Sequence, residues 1–165
     1  MVPPQDFAVN YWIKNGAAKE KIILGMATYG RTFSLANSQN TGYNAPITGP
    51  GAAGPYTREP STLGYNEFCE QQLNPGTRWT VVQDDKGRVP YAYRGNQWIG
   101  YDDIQSINEK ARYVHDQNLA GAMIWSIETD DFRGKCGQGA FPLLAAIRKG
   151  LSGQVVQNPP ESEFF

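Results

Sequence analysis

The chain has 165 residues, 40% of them apolar and 12% aromatic, with 15 basic side chains against 16 acidic ones for a net charge of −1. That length supports one domain with a real core, and near-neutral charge without a block of like charges excludes the concentrated positive field that a nucleic-acid or polybasic membrane surface needs. Glycine and proline together make up about 18% of the chain, short of the roughly 25–30% that marks low-complexity disorder, so the composition is that of a folded, loop-rich protein.

The N-terminus, Met1-Val-Pro-Pro-Gln-Asp6, has neither the positive region nor the apolar run of a secretory signal. Nowhere does the chain approach the roughly 18 consecutive apolar residues that cross a bilayer. Residues 5–15 read as a helix, because Phe7, Ala8, Tyr11 and Trp12 fall at helical spacing and Gly16 follows the end. Lys21–Tyr29 is a largely apolar run without alternation, the pattern of a strand buried on both faces.

From Phe33 to Gly100 the texture changes. Six prolines fall there, and the cluster between Pro46 and Pro60 predicts an extended loop. Thr77–Gln83, Val89–Arg94 and Gln97–Tyr101 read as short strands, joined by turns at Asp84–Gly87 and Gly95-Asn96 that supply the positive φ of tight hairpins. Asp103–Asn118 then predicts a helix with Ile104, Ile107, Ala111 and Val114 on one face. Gly121–Ile127 predicts a second buried strand, and Phe141–Gly150 a last helix burying Leu143, Leu144 and Ile147. The order is α/β alternation carrying a β-rich insertion. Outside the insertion only two segments read as parallel strands, too few for a self-sufficient sheet, and a (β/α)8 barrel needs roughly 250 residues. The alternation therefore reads as part of a larger fold, and Gly153–Phe165, with Asn158-Pro-Pro-Glu-Ser-Glu163, as a polar linker or tail.

Chemistry-bearing residues are few. Gly49-Pro-Gly-Ala-Ala-Gly54 matches a dinucleotide-binding pattern but lacks the preceding strand and following helix that make it work, and reads as a loop. The lone His115 supports neither a Ser-His-Asp triad nor a histidine-based metal site. Counting leaves Cys69 and Cys136 open between a disulfide and two free thiols. Asp84-Asp85 reads as a solvated turn, and Asp102 or Asp103 as the cap of the helix that follows. Glu128, Asp130 and Asp131 follow a predicted parallel strand, where α/β folds place their sites, and are functional candidates. Trp125 in that strand, with Tyr29 and Arg31 at the end of the other, suits a sugar, whose C–H face stacks on indole while its hydroxyls take charged hydrogen bonds. On the residues alone Trp125 is equally a core side chain.

Tyr11-Trp12 with Gly16-Ala17, Gly25-Met-Ala-Thr-Tyr-Gly-Arg-Thr-Phe33, Gly54-Pro-Tyr-Thr-Arg-Glu59, Val89-Pro-Tyr-Ala-Tyr93, Gly121-Ala-Met-Ile-Trp-Ser-Ile-Glu-Thr-Asp-Asp-Phe132 and Gly139-Ala-Phe-Pro-Leu-Leu144 stand in one order. Together they resemble the C-terminal part of family-18 glycoside hydrolases, the animal-type chitinases, over residues 5–152.

The resemblance implies the C-terminal portion of a (β/α)8 TIM barrel with an inserted small α+β domain. Residues 1–33 would carry helix six and strand seven, 34–100 the insertion, 101–152 helix seven, strand eight and helix eight, and 153–165 the linker or tail. It implies chitin or chito-oligosaccharides as ligand, with Trp125 as the floor of the subsite beside the scissile bond and Met123 next to it. By the same resemblance Tyr29 and Arg31 line the cleft, and Glu59 bonds a neighbouring N-acetylglucosamine. It also implies a Cys69–Cys136 disulfide, hence an extracellular parent protein, and neither cofactor nor metal. The family's acid-bearing motif, Asp-Gly-x-Asp-x-Asp-Trp-Glu, is absent from these 165 residues, as is its strand-six Tyr-Asp pair. No catalytic residue is therefore assigned here. The general acid is expected upstream, in the missing N-terminal half of the barrel, and the isolated chain is expected to be inactive in the family's retaining reaction, where the substrate's N-acetyl oxygen is the nucleophile. A non-catalytic chitinase-like lectin is the alternative. Ala27 stands where the family usually carries Pro, and Glu128 where it usually carries Asp.

Overall fold

The structure, a computed structural model, describes residues 3–159. Helix α1, Pro3–Lys14, leads into strand β1, Ile23–Ala27, which pairs in parallel with β8, Gly121–Trp125, in the register Ile23↔Gly121 to Ala27↔Trp125. Among the described residues neither strand has a second partner. Two long helices, α3 (Ile104–Asp116) and α4 (Pro142–Leu151), pack on one another and on one face of this pair. A second, antiparallel sheet is built around β2, Tyr29–Leu35, whose neighbours are β3 (Ile47–Pro50) and β4 (Thr62–Gly64) on one side and β7 (Gln97–Gly100) on the other. It continues through β6 (Val89–Arg94) to β5 (Thr80–Asp84). Helix α2, Tyr65–Leu73, follows β4 directly.

The elements form where side chains satisfy their ends. Asp103 caps α3, accepting from the Ser106 N–H at 2.8 Å while the Ser106 hydroxyl accepts from the Asp103 N–H at 3.0 Å, a reciprocal capping box. Ile107, Ala111 and Val114 then fall on the buried face at helical spacing. Pro142 opens α4, where its missing N–H is no loss. Gly150 lets α3 and α4 approach, since a Cβ there would lie 2.6 Å from the Ala111 methyl. Leu143, Ala146 and Ile147 complete this core with Leu24 and Met26 of β1, and a smaller core of Leu63, Phe68, Trp79, Ala92 and Ile99 lies under the antiparallel sheet.

Four expectations from sequence change. The run 21–29 is not one strand buried on both faces: β1 ends at Ala27, Tyr29 begins the antiparallel β2, and Ile23 is 61% exposed beside the buried Leu24. Strand β8 likewise leaves Met123 and Trp125 exposed, because helices cover the two-stranded sheet on one face only. Helix α1 packs through Val9 and Ile13 and leaves Phe7, Tyr11 and Trp12 exposed. The proline-rich loop contains β3, with Pro50 as its terminal residue, where a missing donor is tolerated. From 154 to 159 the tail has no regular structure, but the Val156 N–H donates to Asn108 Oδ1 at 2.9 Å and Asn158 Nδ2 to Asp103 Oδ2 at 2.6 Å. Residues 160–165 lie outside the described residues.

Candidate functional site

Where the two sheets meet, β1 and β8 end side by side. The Thr28 hydroxyl donates to the Ser126 carbonyl at 2.6 Å and lies 2.7 Å from the Thr129 hydroxyl, which reaches the same carbonyl at 2.8 Å. Thr28 is buried, and its carbonyl accepts from the Tyr65 N–H at 2.9 Å. One threonine thus ties the strand ends to each other and to the start of α2. The Trp125–Ser126 peptide bond is cis, and the Trp125 indole stands 68% exposed.

A cleft of about 430 Å³ opens above this junction, and Trp125, Tyr29, Arg31 and Glu59 all line it. Tyr29 and Arg31 point from the same face of β2, two residues apart. Arg31 donates to the Thr62 hydroxyl at 3.0 Å, and its guanidinium carbon lies 5.2 Å from the Tyr29 ring centre, so the cation is held over the phenol. Met123 lies outside the lining, on the same face of β8 as Trp125 and opposite Gly25 of β1. Four of the five sugar-contact candidates thus share one concavity, with the fifth beside it.

Apart from Glu128, the rest of the wall is supplied by residues that sequence reasoning did not single out: Tyr56, Thr57, Thr62, Asn66, Ser126 and Thr129. They sit on loops and element ends, where no periodicity reports them. The buried Glu67 carboxylate shapes this wall. Its Oε1 accepts from the Tyr56 and Thr57 N–H groups at 2.5 and 2.9 Å, and its Oε2 from the Gly64 N–H at 2.7 Å. Gly54 makes room for it, since a Cβ there would lie 2.3 Å from Glu67 Oε1.

The three carboxylates after β8 divide. Glu128 lies on the cleft, and the Ser126 hydroxyl, donating to it, holds its carboxyl below the usual range. Asp130 and Asp131 are buried and committed to backbone. Asp130 accepts from the N–H groups of Leu143 and Leu144 at the start of α4, at 3.3 and 3.0 Å; Asp131 accepts from Lys135 and Cys136 at 3.1 and 2.9 Å. These two are structural, not site, residues. Burial nonetheless pushes the Asp130 carboxyl up, against the pull of its backbone donors.

Cys69 of α2 and Cys136 form a disulfide with a Cα–Cα separation of 5.9 Å, joining the antiparallel unit to the loop after β8. Asp131 lies against both sulfurs, but neither is free to act as a thiolate ligand. The glycine run 49–54 begins in the last two residues of β3, a strand the sequence did not lead one to expect, and passes into a loop with Gly51 packed on Thr32; it opens no helix. Asp84 accepts from the Gly87 N–H at 2.5 Å and closes its turn.

The sequence profile of the glycosyl hydrolases family 18 matches residues 4–130. Human chitinase-3-like protein 2 is 48% identical over 147 residues, which cover 88% of this chain and 36% of that protein, so the chain spans about a third of its length. Among solved structures, human YKL-39, described as a pseudo-chitinase with retained chitooligosaccharide binding properties, superposes with a TM-score of 0.82 at 44% identity, over 89% of this chain and 39% of that one. The Group IV chitinase of Ostrinia furnacalis, solved in complex with allosamidin, superposes with a TM-score of 0.85 at 44% identity, over 90% of this chain and 40% of that one. On the profile match, the sequence identity and the superposition together, the chain belongs to glycosyl hydrolase family 18.

Proposed function

We propose that the chain forms one wall of the substrate cleft of a secreted chitinase that hydrolyses β-1,4-linked N-acetylglucosamine polymers. One observation carries the reading: Trp125, Tyr29, Arg31 and Glu59, from β8, β2 and the loop before β4, line a single cleft. The exposed indole offers a flat apolar floor for a pyranose ring, and Arg31 and Glu59 offer a charged donor and acceptor for hydroxyl and acetamide groups. Met123 extends the apolar floor along β8. On this reading the reaction retains configuration, with the sugar's own acetamide oxygen attacking C1. The general acid belongs to a motif this sequence does not contain, so the 165 residues by themselves do not hydrolyse chitin.

The architecture supports the same reading. We take β1 and β8 as strands seven and eight of a (β/α)8 barrel, α1, α3 and α4 as its helices six to eight, and residues 34–100 as an inserted α+β domain. Exposed Ile23 of β1, together with exposed Phe7, Tyr11 and Trp12 on α1, is apolar surface that a finished barrel would cover. The Cys69–Cys136 disulfide accords with an extracellular parent protein.

A second reading is a lectin that binds chito-oligosaccharides without cutting them, favoured by the likeness to a pseudo-chitinase. The test is to assay the full-length protein for cleavage and binding of N-acetylglucosamine oligomers, with the residue at the acid position of its fourth strand determined. A glutamate there with turnover supports the enzyme; another residue with binding and no turnover supports the lectin. Neither binding nor cleavage overturns both.

A further inference from the structure

Beside the disulfide, the two residues next to its cysteines meet a cleft residue. Glu70, after Cys69, accepts the Tyr56 hydroxyl on Oε2 at 2.7 Å, and Lys135, before Cys136, places its ammonium 3.1 Å from Glu70 Oε1. Each carboxylate oxygen thus has its own partner. Tyr56 lines the cleft and is 50% exposed, yet the residue is held at both ends: its backbone N–H by Glu67 and its phenol by Glu70.

We propose that Glu70 is a positioning residue of the sugar cleft, acting through the Tyr56 ring; this rests on the cleft being the oligosaccharide site. A phenol has one proton to donate. With that proton committed to Glu70, and the Lys135 ammonium also reaching the phenol, the Tyr56 oxygen meets a ligand only as an acceptor through its remaining lone pair, which selects a sugar hydroxyl or amide N–H as its donor. The bond also removes freedom that an exposed tyrosine would otherwise lose on binding, so less ordering cost remains when the ligand arrives. A stability role is the weaker explanation, since the Lys135–Glu70 pair is solvent-exposed on the lysine side and exposed ion pairs contribute little to folding.

The test is calorimetric titration of N-acetyl-chitotetraose into the full-length protein, with thermal midpoints measured in parallel. Glu70→Ala and Tyr56→Phe are each expected to weaken binding roughly threefold to tenfold, with the double variant no weaker than either single. Glu70→Gln keeps an acceptor for the phenol and is expected to restore affinity to within about twofold of native. Thermal midpoints are expected to stay put. Native affinity in Glu70→Ala, with Trp125→Ala impaired, overturns the role of Glu70 and leaves the cleft reading standing. A lowered midpoint that Glu70→Gln does not restore assigns Glu70 to folding and also overturns the inference. A native protein that does not bind, or native affinity in both Glu70→Ala and Trp125→Ala, removes the cleft reading and this inference with it.

Discussion

Lys110 Nζ lies 2.5 Å from Asp102 Oδ2, with both side chains less than a tenth exposed. The other Asp102 oxygen accepts the Ser106 hydroxyl at 2.8 Å, so the pair is built into the cap of α3. Removing one member strands the other. Asp102→Ala is expected to destabilise the fold by about 3–5 kcal/mol through the unpaired buried ammonium, whereas replacing both with apolar side chains of similar volume costs far less. Chemical denaturation of the two variants in the full-length protein checks this, and a cost for Asp102→Ala below that of the double replacement would contradict it.

Asp130 tests whether the carboxylates after β8 serve the fold or the chemistry. It supplies the acceptors that the first N–H groups of α4 lack within their own helix. Asp130→Ala is therefore expected to cost about 1–2 kcal/mol or more of stability, the scale of a lost helix cap in a buried setting. Ligand affinity should change only as far as folding does. A variant with native stability and lost binding would return Asp130 to the cleft.

How much was legible in the sequence depended on whether the determining contacts were local. Helix α3 was readable because its cap Asp103, Ser106 and the spaced Ile107, Ala111 and Val114 all lie at or within its own span. Helix α2 escaped notice because its cap is Gly64, which has no side chain to mark the start; Glu67 closes that end on the Gly64 N–H and spends its other oxygen on Tyr56 and Thr57, on a loop ten residues earlier. Trp125, Tyr29 and Arg31 could be guessed from their places at strand ends, while Glu59, on an irregular loop, came from family resemblance alone. Tyr56 and Ser126 were missed for that reason, and Asn66 because it lies in the first turn of the unrecognised α2. Asp130 and Asp131 occupied a site-like sequence position, and only the backbone donors folded around them reveal their duty.

The Tyr113 phenol donates to Asp6 Oδ1 at 3.0 Å and ties α3 to α1. Burial, with this bond to a carboxylate, pushes the phenol up from 10.0 to about 12. The folded state therefore holds the proton more tightly than the unfolded chain. Its contribution to stability is complete below pH about 10 and is lost as pH rises from about 10 to 12. Tyr113→Phe is expected to remove a late-ionising component from the tyrosinate absorbance titration and to flatten the stability profile in that window. An unchanged titration would place Tyr113 in water.

The 165 residues produced alone are expected to associate or to unfold without cooperativity. Exposed Trp125, Met123 and Ile23 on the parallel pair, and Phe7, Tyr11 and Trp12 on α1, form apolar surface of the kind that drives association, and two parallel strands leave outer edges free among the described residues. Sedimentation and a hydrophobic-dye titration measure this. A monomer with a sharp melt would count against the barrel-segment reading.

Trp125 offers the most direct probe of the cleft. Its indole contributes nothing to the buried core, being 68% exposed, while the Thr28–Ser126–Thr129 bonds hold the backbone behind it. Truncating the ring should therefore leave the fold intact and remove only what the ring does for a ligand. For Trp125→Ala in the full-length protein, oligosaccharide binding is expected to weaken by about 1–3 kcal/mol, the scale of losing a large aromatic stacking surface. Trp125→Phe should recover part of that, because a smaller ring still presents a face. Because Tyr29 and Arg31 approach from β2 and not from β8, their contacts survive the change, and residual binding is expected to remain sensitive to Arg31→Ala. If affinity were instead indifferent to Trp125 while depending on Arg31, the ligand would be a charged group seated on β2 and the stacked-sugar geometry would be wrong.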